Sequence, residues 1–233
     1  MDGQGGPPLQ RARGGSGPES DRRKNGLYMD RASSSTVARL SSYFRVLGEF
    51  DREHVETISS KRLAERCGIT SAQVRKDLSV FGNFGRRGLG YNVSELQGEI
   101  GTILGLGRRW RVALIGAGNL GHALFAYREF QRQGFHIEHV FDTDPSKVGQ
   151  MWDGVRIAPL SELAQRAAKP GIDIAIIAVP VHAAQEVVDA TVRAGIRAIL
   201  NFAPGKVTIP DGVAVRDVDL SIAMESLSYA LVK

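Results

Sequence analysis

The chain has 233 residues, of which 42% are hydrophobic and 24% are charged, a composition typical of a globular protein with a packed core. Its single cysteine, Cys67, excludes an intrachain disulfide and a metal site built from cysteines, and we expect no metal. No apolar run is long enough to cross a membrane or to act as a secretion signal, so the sequence predicts a cytoplasmic protein without a membrane partner.

Positive charge is concentrated in the N-terminal half. Residues 1–110 contain 18 lysines and arginines against 12 acidic residues, whereas residues 111–233 contain 12 against 13. This asymmetry favours a polyanionic partner for the first half, although a solvated basic surface would give the same count. Residues 1–30 are rich in glycine, proline, serine and arginine with few apolar residues, and we expect them to be disordered.

A helix-turn-helix is predicted in the basic half. Ser59 is placed to cap a short helix, Gly68 ends it, and a T-x-x-Q capping box that begins at Thr70 opens a second helix. Two helices joined in this way place the second one in the major groove of DNA. An amphipathic pattern over residues 37–47, with Phe44 on its apolar face, predicts a supporting helix upstream.

The second helix of the pair carries the candidate base-reading residues. Apolar residues at helical spacing form its buried face, which leaves polar side chains on the other. Gln73 is suited to adenine and Lys76 to guanine, while Arg75 on the flank is suited to phosphate. The predicted DNA contacts of this helix are Ser71, Gln73, Arg75, Lys76 and Ser79.

A glycine-rich segment over residues 82–93 is predicted to form a hairpin wing. Arg86 and Arg87 at its tip are candidates for minor-groove or phosphate contacts, and a surface hairpin with solvated arginines is the alternative. An S-x-x-Q box at Ser94 predicts the start of the next helix, which leads to an interdomain joint at residues 108–110.

The most specific motif of the chain follows an apolar run at residues 112–115. The next six residues match G-x-G-x-x-G, in which a strand passes through a tight turn into a helix. The first glycine permits the turn, the second lets a pyrophosphate approach the backbone, and the third lets the helix pack on the strand. Dinucleotide contacts are therefore predicted at Gly116, Ala117, Gly118, Asn119, Leu120 and Gly121.

An acidic residue closes the next predicted strand, at residues 136–141. Asp142 lies 21 residues beyond Gly121, where a carboxylate accepts hydrogen bonds from a ribose diol and repels a 2′-phosphate. The sequence therefore favours NADH and NAD+ over their phosphorylated forms. Asp144 is a second cofactor candidate, and with Pro145 it is also suited to begin a turn or helix.

The rest of the second half alternates between strand-like and helical segments, which is typical of a doubly wound parallel sheet. Helices are predicted at 161–168 and 183–194, and strands at 173–179, 198–202 and 213–218. Ligands bind at the carboxyl ends of such strands, which places Val179, Pro180 and His182 near the nicotinamide ribose.

A catalytic function is not favoured by this sequence. The 123 residues from Arg111 to Lys233 leave little length for a separate substrate domain, and no histidine there is flanked by both an obvious orienting acid and a substrate clamp. The sequence therefore predicts that the protein is not an enzyme. An NAD-dependent oxidoreductase and a CoA-binding module are the alternatives, since both use a similar glycine turn.

Together the motifs resemble the Rex family of redox-sensing transcriptional repressors. The resemblance spans residues 35–232 and rests on QVRKDLS at 73–79, RGLGY at 87–91, the glycine motif, FDTDP at 141–145 and LNFAP at 200–204. It implies a homodimer that binds palindromic operator DNA when it is free or bound to NAD+ and is released by NADH. It also implies target genes of respiration and fermentation.

The fold class implied by the resemblance is α/β, with a winged helix joined to a Rossmann domain. It divides the chain after the extension (1–30), which lies outside the family pattern, into a winged-helix DNA-binding domain (31–107), a Rossmann NAD(H)-binding domain (108–218) and a C-terminal helix exchanged between subunits (219–233).

The resemblance further implies three coupling residues. Arg45 on the first helix would pair with the partner's Asp219 in the NAD+ state, and Tyr127 on the helix after the glycine turn, near the cofactor, would take Asp219 in the NADH state. Each also has an ordinary structural role available, as a solvated charge, a helix cap and a packed aromatic respectively. Leu220 departs from the pattern of family members that place a phenylalanine there, in the partner's nicotinamide pocket.

Overall fold

A computed structural model of the protein describes residues 32–86 and 88–232. The extension predicted at residues 1–30 and the candidate wing residue Arg87 lie outside the described residues. The described chain forms two compact units, the first of which ends at Leu106. No helix in the described ranges is both long enough and apolar enough to cross a membrane.

In the first unit, the described residues form four α-helices and a two-stranded antiparallel sheet. The helices are α1 (Ser34–Arg52), α2 (Ser60–Cys67), α3 (Ser71–Ser79) and α4 (Val93–Ile103), and the strands are β1 (Thr57–Ile58) and β2 (Tyr91–Asn92). α1 packs against α2 and α4, and α2 packs against α3.

The predicted starts of α2 and α3 and the predicted end of α2 are confirmed. The hydroxyl of Ser59 accepts a hydrogen bond from the backbone N–H of Arg62, and Gly68 ends α2 in the left-handed conformation. Thr70 caps α3 by accepting from the backbone N–H of Gln73. The capping box is only half formed, because the Gln73 side chain donates forward along α3 instead of back to Thr70.

The predicted start of α4 at Ser94 is wrong. The helix begins after Asn92, whose side-chain oxygen accepts from the backbone N–H of Glu95, so Ser94 already lies in the first turn. Asn92 and Glu95 have the spacing of a capping pair, and this pair outcompetes the S-x-x-Q box two residues later.

The core of the first unit lies along one face of α1. Leu40, Tyr43, Leu47 and Phe50 are each at most 1% exposed. They are three or four residues apart, which is the spacing of a single helix face. Phe44, which we expected on that face, is only partly buried and packs against the cluster, so of these two adjacent aromatic rings it is Tyr43 that is fully buried.

The predicted hairpin over residues 82–93 is largely replaced by a loop. Backbone bonds in both directions join Arg86 and Gly90, and β2 pairs with β1 instead of with residues 82–85. Gly82, Gly85 and the glycines at 88 and 90 all have positive φ, which interrupts strand pairing. Arg86 is exposed in this loop.

The second unit is built on a seven-stranded sheet. Its strands are β3 (Trp110–Ile115), β4 (Phe135–Asp142), β5 (Met151–Trp152), β6 (Val155–Pro159), β7 (Ile174–Ile177), β8 (Ala198–Asn201) and β9 (Ala214–Asp217). The order is β5-β6-β4-β3-β7-β8-β9, and every neighbouring pair is parallel except β5 with β6. Without β5, this is the strand order of the doubly wound dinucleotide-binding fold.

The helices of the second unit are α5 (Asn119–Phe125), α6 (Arg128–Arg132), α7 (Leu163–Arg166), α8 (Val181–Arg193) and α9 (Leu220–Val232). The helix predicted at 161–168 is divided, because a 3₁₀ turn over Leu160–Glu162 precedes α7 and a π-helical segment over Ala167–Gly171 follows it. β5 and β6 were not predicted.

The predicted burial of the strand at 173–179 on both faces is confirmed for β7. Ala175 and Ile177 pack into a core cluster on one side of the sheet, and Ile176 packs into a second cluster on the other. β7 lies between β3 and β8, so helices cover both of its faces and its apolar run needs no alternation.

Candidate functional site

The glycine turn between β3 and α5 has the geometry that a dinucleotide-binding turn requires. Gly116 has φ +107°, and its N–H donates to the carbonyl of Phe141 at 2.8 Å. A β-carbon on Gly121 would overlap the carbonyl oxygen of Gly116, whereas one on Gly118 would meet no atom within 4 Å. The first and third glycines are therefore required by packing, and the second leaves the backbone open to a ligand.

The helix that follows the glycine turn is broken, which corrects the position of Tyr127. α5 ends at Phe125, and Tyr127 is the residue immediately before α6, so it lies between two helices and not on the first. Its side chain is 55% exposed and makes an edge-to-face contact with Phe130 at 5.1 Å between ring centroids.

Asp142 ties the end of β4 to the glycine turn. Its Oδ2 accepts from the backbone N–H of Ala117 at 2.7 Å, and its Oδ1 accepts from the N–H of Asp144 at 2.8 Å. The side chain is 10% exposed. A carboxylate thus lies directly beside the turn that is open at Gly118, which is where an adenine ribose is bound in this fold.

Asp144 begins a turn and not a helix. Its Oδ1 accepts from both the backbone N–H and the hydroxyl of Ser146, at 2.9 and 2.7 Å. These bonds hold the pKa of Asp144 below its usual value. Lys147 follows, with its Nζ 3.4 Å from Asp142 Oδ2 and 3.6 Å from Asp144 Oδ2. Lys147 was not among the predicted site residues, although D-x-D-P-x-K spacing places it five and three residues after the two acids.

The carboxyl ends of the central strands meet at the same edge of the sheet. The N–H of Ala178 donates to the carbonyl of Ile115 at the end of β3. A β-carbon on Gly116 would lie 3.1 Å from Val179 Cγ1, so Val179 lines the glycine turn. Pro180 is the exposed residue before α8.

In the first unit, the outward face of α3 carries exposed cationic side chains. Lys76 and Arg75 are exposed, and Arg75 donates to the hydroxyl of Ser60 at 3.0 Å, which links α3 to α2. Ser79 is exposed and donates to the Lys76 carbonyl, while Ser71 is half-buried.

A buried carboxylate that was not predicted from the sequence lies behind this face. Asp77 is 2% exposed. Its Oδ2 accepts from Arg39 Nε and the Tyr43 hydroxyl, both at 2.6 Å. Its Oδ1 accepts from an Arg39 guanidinium nitrogen at 2.8 Å and from Gln73 Nε2 at 2.7 Å. Three charge-assisted bonds from Arg39 and Tyr43 therefore join α1 to α3, and the fourth, from Gln73, lies within α3. We call these four residues the Asp77 cluster.

The Asp77 cluster fixes both a charge and an orientation. Burial raises the pKa of Asp77, but the hydrogen bonds from Arg39, Tyr43 and Gln73 outweigh it and leave the pKa below its usual value. Because an ionised carboxylate only accepts, the Gln73 amide must turn its nitrogen towards Asp77. Its oxygen and its second N–H remain available.

Two of the three candidate coupling residues belong to the second unit. Asp219 is exposed and immediately precedes α9, where its Oδ1 accepts from the N–H and the hydroxyl of Ser221 at 2.9 and 2.6 Å. These bonds lower the pKa of Asp219, as expected for a carboxylate that caps a helix. Arg45 is exposed on α1 in the first unit.

α9 exposes a large apolar surface in the described chain. All of its described residues are exposed, and seven large apolar side chains are between 61% and 88% exposed: Leu220, Ile222, Met224, Leu227, Tyr229, Leu231 and Val232. An apolar patch of this kind on a single chain marks an interaction surface.

Comparisons with known proteins cover both units. The family described as "Putative DNA-binding protein N-terminus" matches residues 32–79, and the family described as "CoA binding domain" matches residues 108–205. Redox-sensing transcriptional repressors Rex from Desulforamulus reducens and Pelotomaculum thermopropionicum are 47% and 48% identical, covering 84% and 85% of this chain and 94% and 93% of their own.

Solved structures agree with this assignment. A crystal structure of RSP in complex with β-NAD+ and operator DNA is 40% identical, with a TM-score of 0.82, and covers 86% of this chain and 92% of its own. RSP in complex with β-NADH is 38% identical, with a TM-score of 0.78 and coverage of 86% and 94%. RSP is described as a Rex-family repressor. From this identity and coverage, the chain belongs to the Rex family of redox-sensing transcriptional repressors.

Proposed function

We propose that this protein is a repressor that binds palindromic operator DNA and is released from it when NADH occupies the glycine turn. The observation that carries the proposal is the presence, in one chain, of a capped helix-turn-helix and of a glycine turn that is open at Gly118. RSP aligns over both units and has been crystallised with NAD+ and operator DNA and with NADH.

The residues of the second unit fit a dinucleotide. The backbone from Gly116 to Gly121 would hold the pyrophosphate, Asp142 would contact the adenine ribose, and Val179 and Pro180 would line the nicotinamide side. When bound, the cofactor supplies a nicotinamide ring that is positively charged in NAD+ and neutral in NADH. The chain's own contribution is to bind this ring and to respond to its charge.

The DNA-contacting surface is proposed on α3 and on the loop that follows it. Lys76 would read base edges and Arg75 would contact phosphate, with Ser71 and Ser79 at the margins. Gln73 would present the amide oxygen and the N–H that Asp77 leaves available. The loop that contains Arg86 would act as the wing, and the next residue in sequence, Arg87, remains a DNA-contact candidate on its residue type.

A second copy of the chain would cover α9. The exposed apolar side chains of this helix need a partner surface, and exchange of α9 within a homodimer would supply one. Leu220, at its start, would exclude water from the partner's nicotinamide pocket but would not stack on the ring.

Coupling between the two sites would run through Asp219. In the NAD+ state it would pair with the partner's Arg45, and in the NADH state with Tyr127. A ligand shifts such an equilibrium only through its differential affinity for the two forms, and a change from about 1:99 to 99:1 requires on the order of 10⁴-fold. NADH must therefore bind the released form far more tightly than it binds the DNA-competent form, whereas NAD+ should show little such bias.

A gel-shift titration tests the proposed function. A palindromic duplex is first selected from random DNA with the full-length protein, and NADH, NAD+ or CoA is then added. We expect NADH alone to release the duplex and no NADH to be consumed. Release by CoA, or steady oxidation of NADH with a small substrate, would favour the CoA-binding or oxidoreductase alternative. DNA binding that is indifferent to NADH would contradict the proposal.

The coupling residues are tested by Tyr127→Phe, which removes one hydroxyl from an exposed ring. We expect NADH affinity to stay within several-fold while release from DNA is blunted. By reciprocity, operator DNA should then weaken NADH binding less than in the unmodified protein. A variant that binds NADH and leaves DNA as the unmodified protein does would remove Tyr127 from the coupling and leave the repressor function intact.

A further inference from the structure

Lys147 occupies an unusual position beside the adenine-ribose end of the proposed cofactor site. Its ammonium lies 3.4 Å from Asp142 Oδ2 and 3.6 Å from Asp144 Oδ2, and the side chain is 36% exposed. In this fold a basic side chain near the ribose-binding acid accommodates a ribose 2′-phosphate, and Lys147 is a basic side chain beside that acid. Its charge is already matched by the two acids.

We propose that Lys147 is a phosphate-binding lysine held inactive by Asp142, and that the pair together sets the preference for NADH over NADPH. The inference rests on the proposed function in one respect, that a dinucleotide binds at the glycine turn. Asp142 acts in two ways, by repelling a 2′-phosphate directly and by keeping the Lys147 ammonium against its own carboxylate.

The hydrogen-bond capacity of Asp142 supports this division of roles. A carboxylate has about four acceptor positions. Backbone N–H groups of Ala117 and Asp144 take one on each oxygen, and Lys147 takes the second on Oδ2. One position on Oδ1 remains, whereas a ribose diol has two hydroxyl donors. Lys147 therefore affects the ribose contact directly. Its ammonium either leaves Asp142 Oδ2 free to accept from a ribose hydroxyl or itself donates to a ribose oxygen.

The local charge supports the same conclusion. Asp142, Asp144 and Lys147 sum to one negative charge, which disfavours a dianionic phosphate. With Asp142 neutral, the sum is zero and the ammonium keeps only Asp144, which is already bonded to Ser146. Lys147 would then be free to form a charge-assisted bond to a phosphate oxygen. The gain in NADPH affinity on losing Asp142 should therefore depend on Lys147.

A double-mutant cycle on the full-length protein tests this dependence. NADH and NADPH dissociation constants are measured by nicotinamide fluorescence for the unmodified protein, Asp142→Asn, Lys147→Met and the double variant. Asparagine keeps an oxygen for the Ala117 N–H. Lys61→Met is the matched control, because it removes an 82% exposed lysine from the first unit.

In Asp142→Asn we expect the NADPH-to-NADH affinity ratio to rise by about tenfold or more, the scale of one charge-assisted bond. In the double variant the ratio should rise by less than about threefold relative to Lys147→Met. Lys147→Met alone should lower the ratio, because the two carboxylates then lose their counter-charge. Lys61→Met should leave the ratio unchanged. Thermal unfolding checks that each variant is folded, and Asp142→Ser replaces Asp142→Asn if the latter is not.

The same rise in the double variant as in Asp142→Asn would overturn the inference and leave Asp142 acting by repulsion alone. An unmodified protein that binds neither NADH nor NADPH would instead overturn the proposed function, and the inference with it. The two failures are thus distinguished by a single measurement on the unmodified protein.

Discussion

Tyr43→Phe is the sharpest test of the Asp77 cluster. The change removes one hydroxyl from a fully buried ring and leaves the packing of that ring almost intact. The hydroxyl donates to Asp77 Oδ2 at 2.6 Å, and after the change the carboxylate keeps its bonds from Arg39 and Gln73. The variant therefore reports on a single charge-assisted bond and does not create a cavity or an unpaired charge.

The expected cost follows from that bond. A hydrogen bond to a charged group stabilises a protein by about 1.5–3 kcal/mol. With a urea dependence of about 1–3 kcal/mol per molar, a loss of ~2 kcal/mol moves the unfolding midpoint of the first unit by about 1 M. In thermal unfolding the same loss lowers the midpoint of a domain of this size by about 8–16 °C.

Two optical signals separate the units in this experiment. The chain's two tryptophans, Trp110 and Trp152, both lie in the second unit, so their fluorescence follows that unit, whereas circular dichroism at 222 nm follows the helices of both. We expect Tyr43→Phe to shift the dichroism transition of the first unit. Tyr91→Phe is the matched control, since Tyr91 is 9% exposed in the same unit and lies outside the Asp77 cluster. Equal losses from Tyr43→Phe and Tyr91→Phe would refute the reasoning.

Three more measurements test the pH dependence of stability, the glycine turn and the exposed face of α3. The pKa of Asp77 in the folded state lies below its usual value of 3.8. The stability that ionised Asp77 contributes is therefore complete above pH 3.8 and is lost as the pH falls through the folded-state pKa. Asp77→Asn should accordingly flatten the acid side of a curve of unfolding free energy against pH. Gly118→Ala should retain the melting temperature but weaken NADH binding. Gly121→Ala should lower the melting temperature, because its β-carbon would overlap the Gly116 carbonyl. Equal melting temperatures for the two variants would contradict this reasoning. Lys76→Ala should cost about 1–3 kcal/mol on the selected palindrome and much less on random DNA in gel-shift titrations, and equal losses would make Lys76 a phosphate contact.

Local signals in the sequence predicted local structure well. Ser59, Gly68 and Thr70 each perform the capping role that their residue type favours, because a cap depends on a few neighbouring backbone groups. The glycine turn is predictable for the same reason. The β5–β6 hairpin was also within reach, since Asp153 and Gly154 between its strands have positive φ and Asp-Gly is a strong hairpin signal.

Long-range contacts were not predictable from the sequence. The hydrogen bonds from Arg39 and Tyr43 to Asp77 span 38 and 34 residues. The helical periodicity of α1 and of α3 does not indicate these bonds. From the sequence alone, Asp77 looks like an ordinary charged residue on the polar face of a helix. Only the packing of α1 against α3 shows that it is buried. The choice between Tyr43 and Phe44 as the buried ring is likewise settled by tertiary packing, because both positions fit a helical repeat.

The Asp77 cluster gives the proposed coupling a mechanical basis. Arg45, which would receive the signal from the partner, lies on α1, and the same helix supplies the Arg39 and Tyr43 bonds that hold Asp77 on α3. A hydrogen bond to a charged group contributes about 1.5–3 kcal/mol, and three such bonds join Asp77 to Arg39 and Tyr43. Shifting the DNA-competent and released forms from about 1:99 to 99:1 takes about 5.5 kcal/mol. These energies are similar. If the switch first broke the Asp77 cluster, most of the free energy available for switching the dimer would be lost in breaking these bonds. α1 and α3 are therefore expected to move as one body, so that a displacement at Arg45 reaches Lys76 without loss.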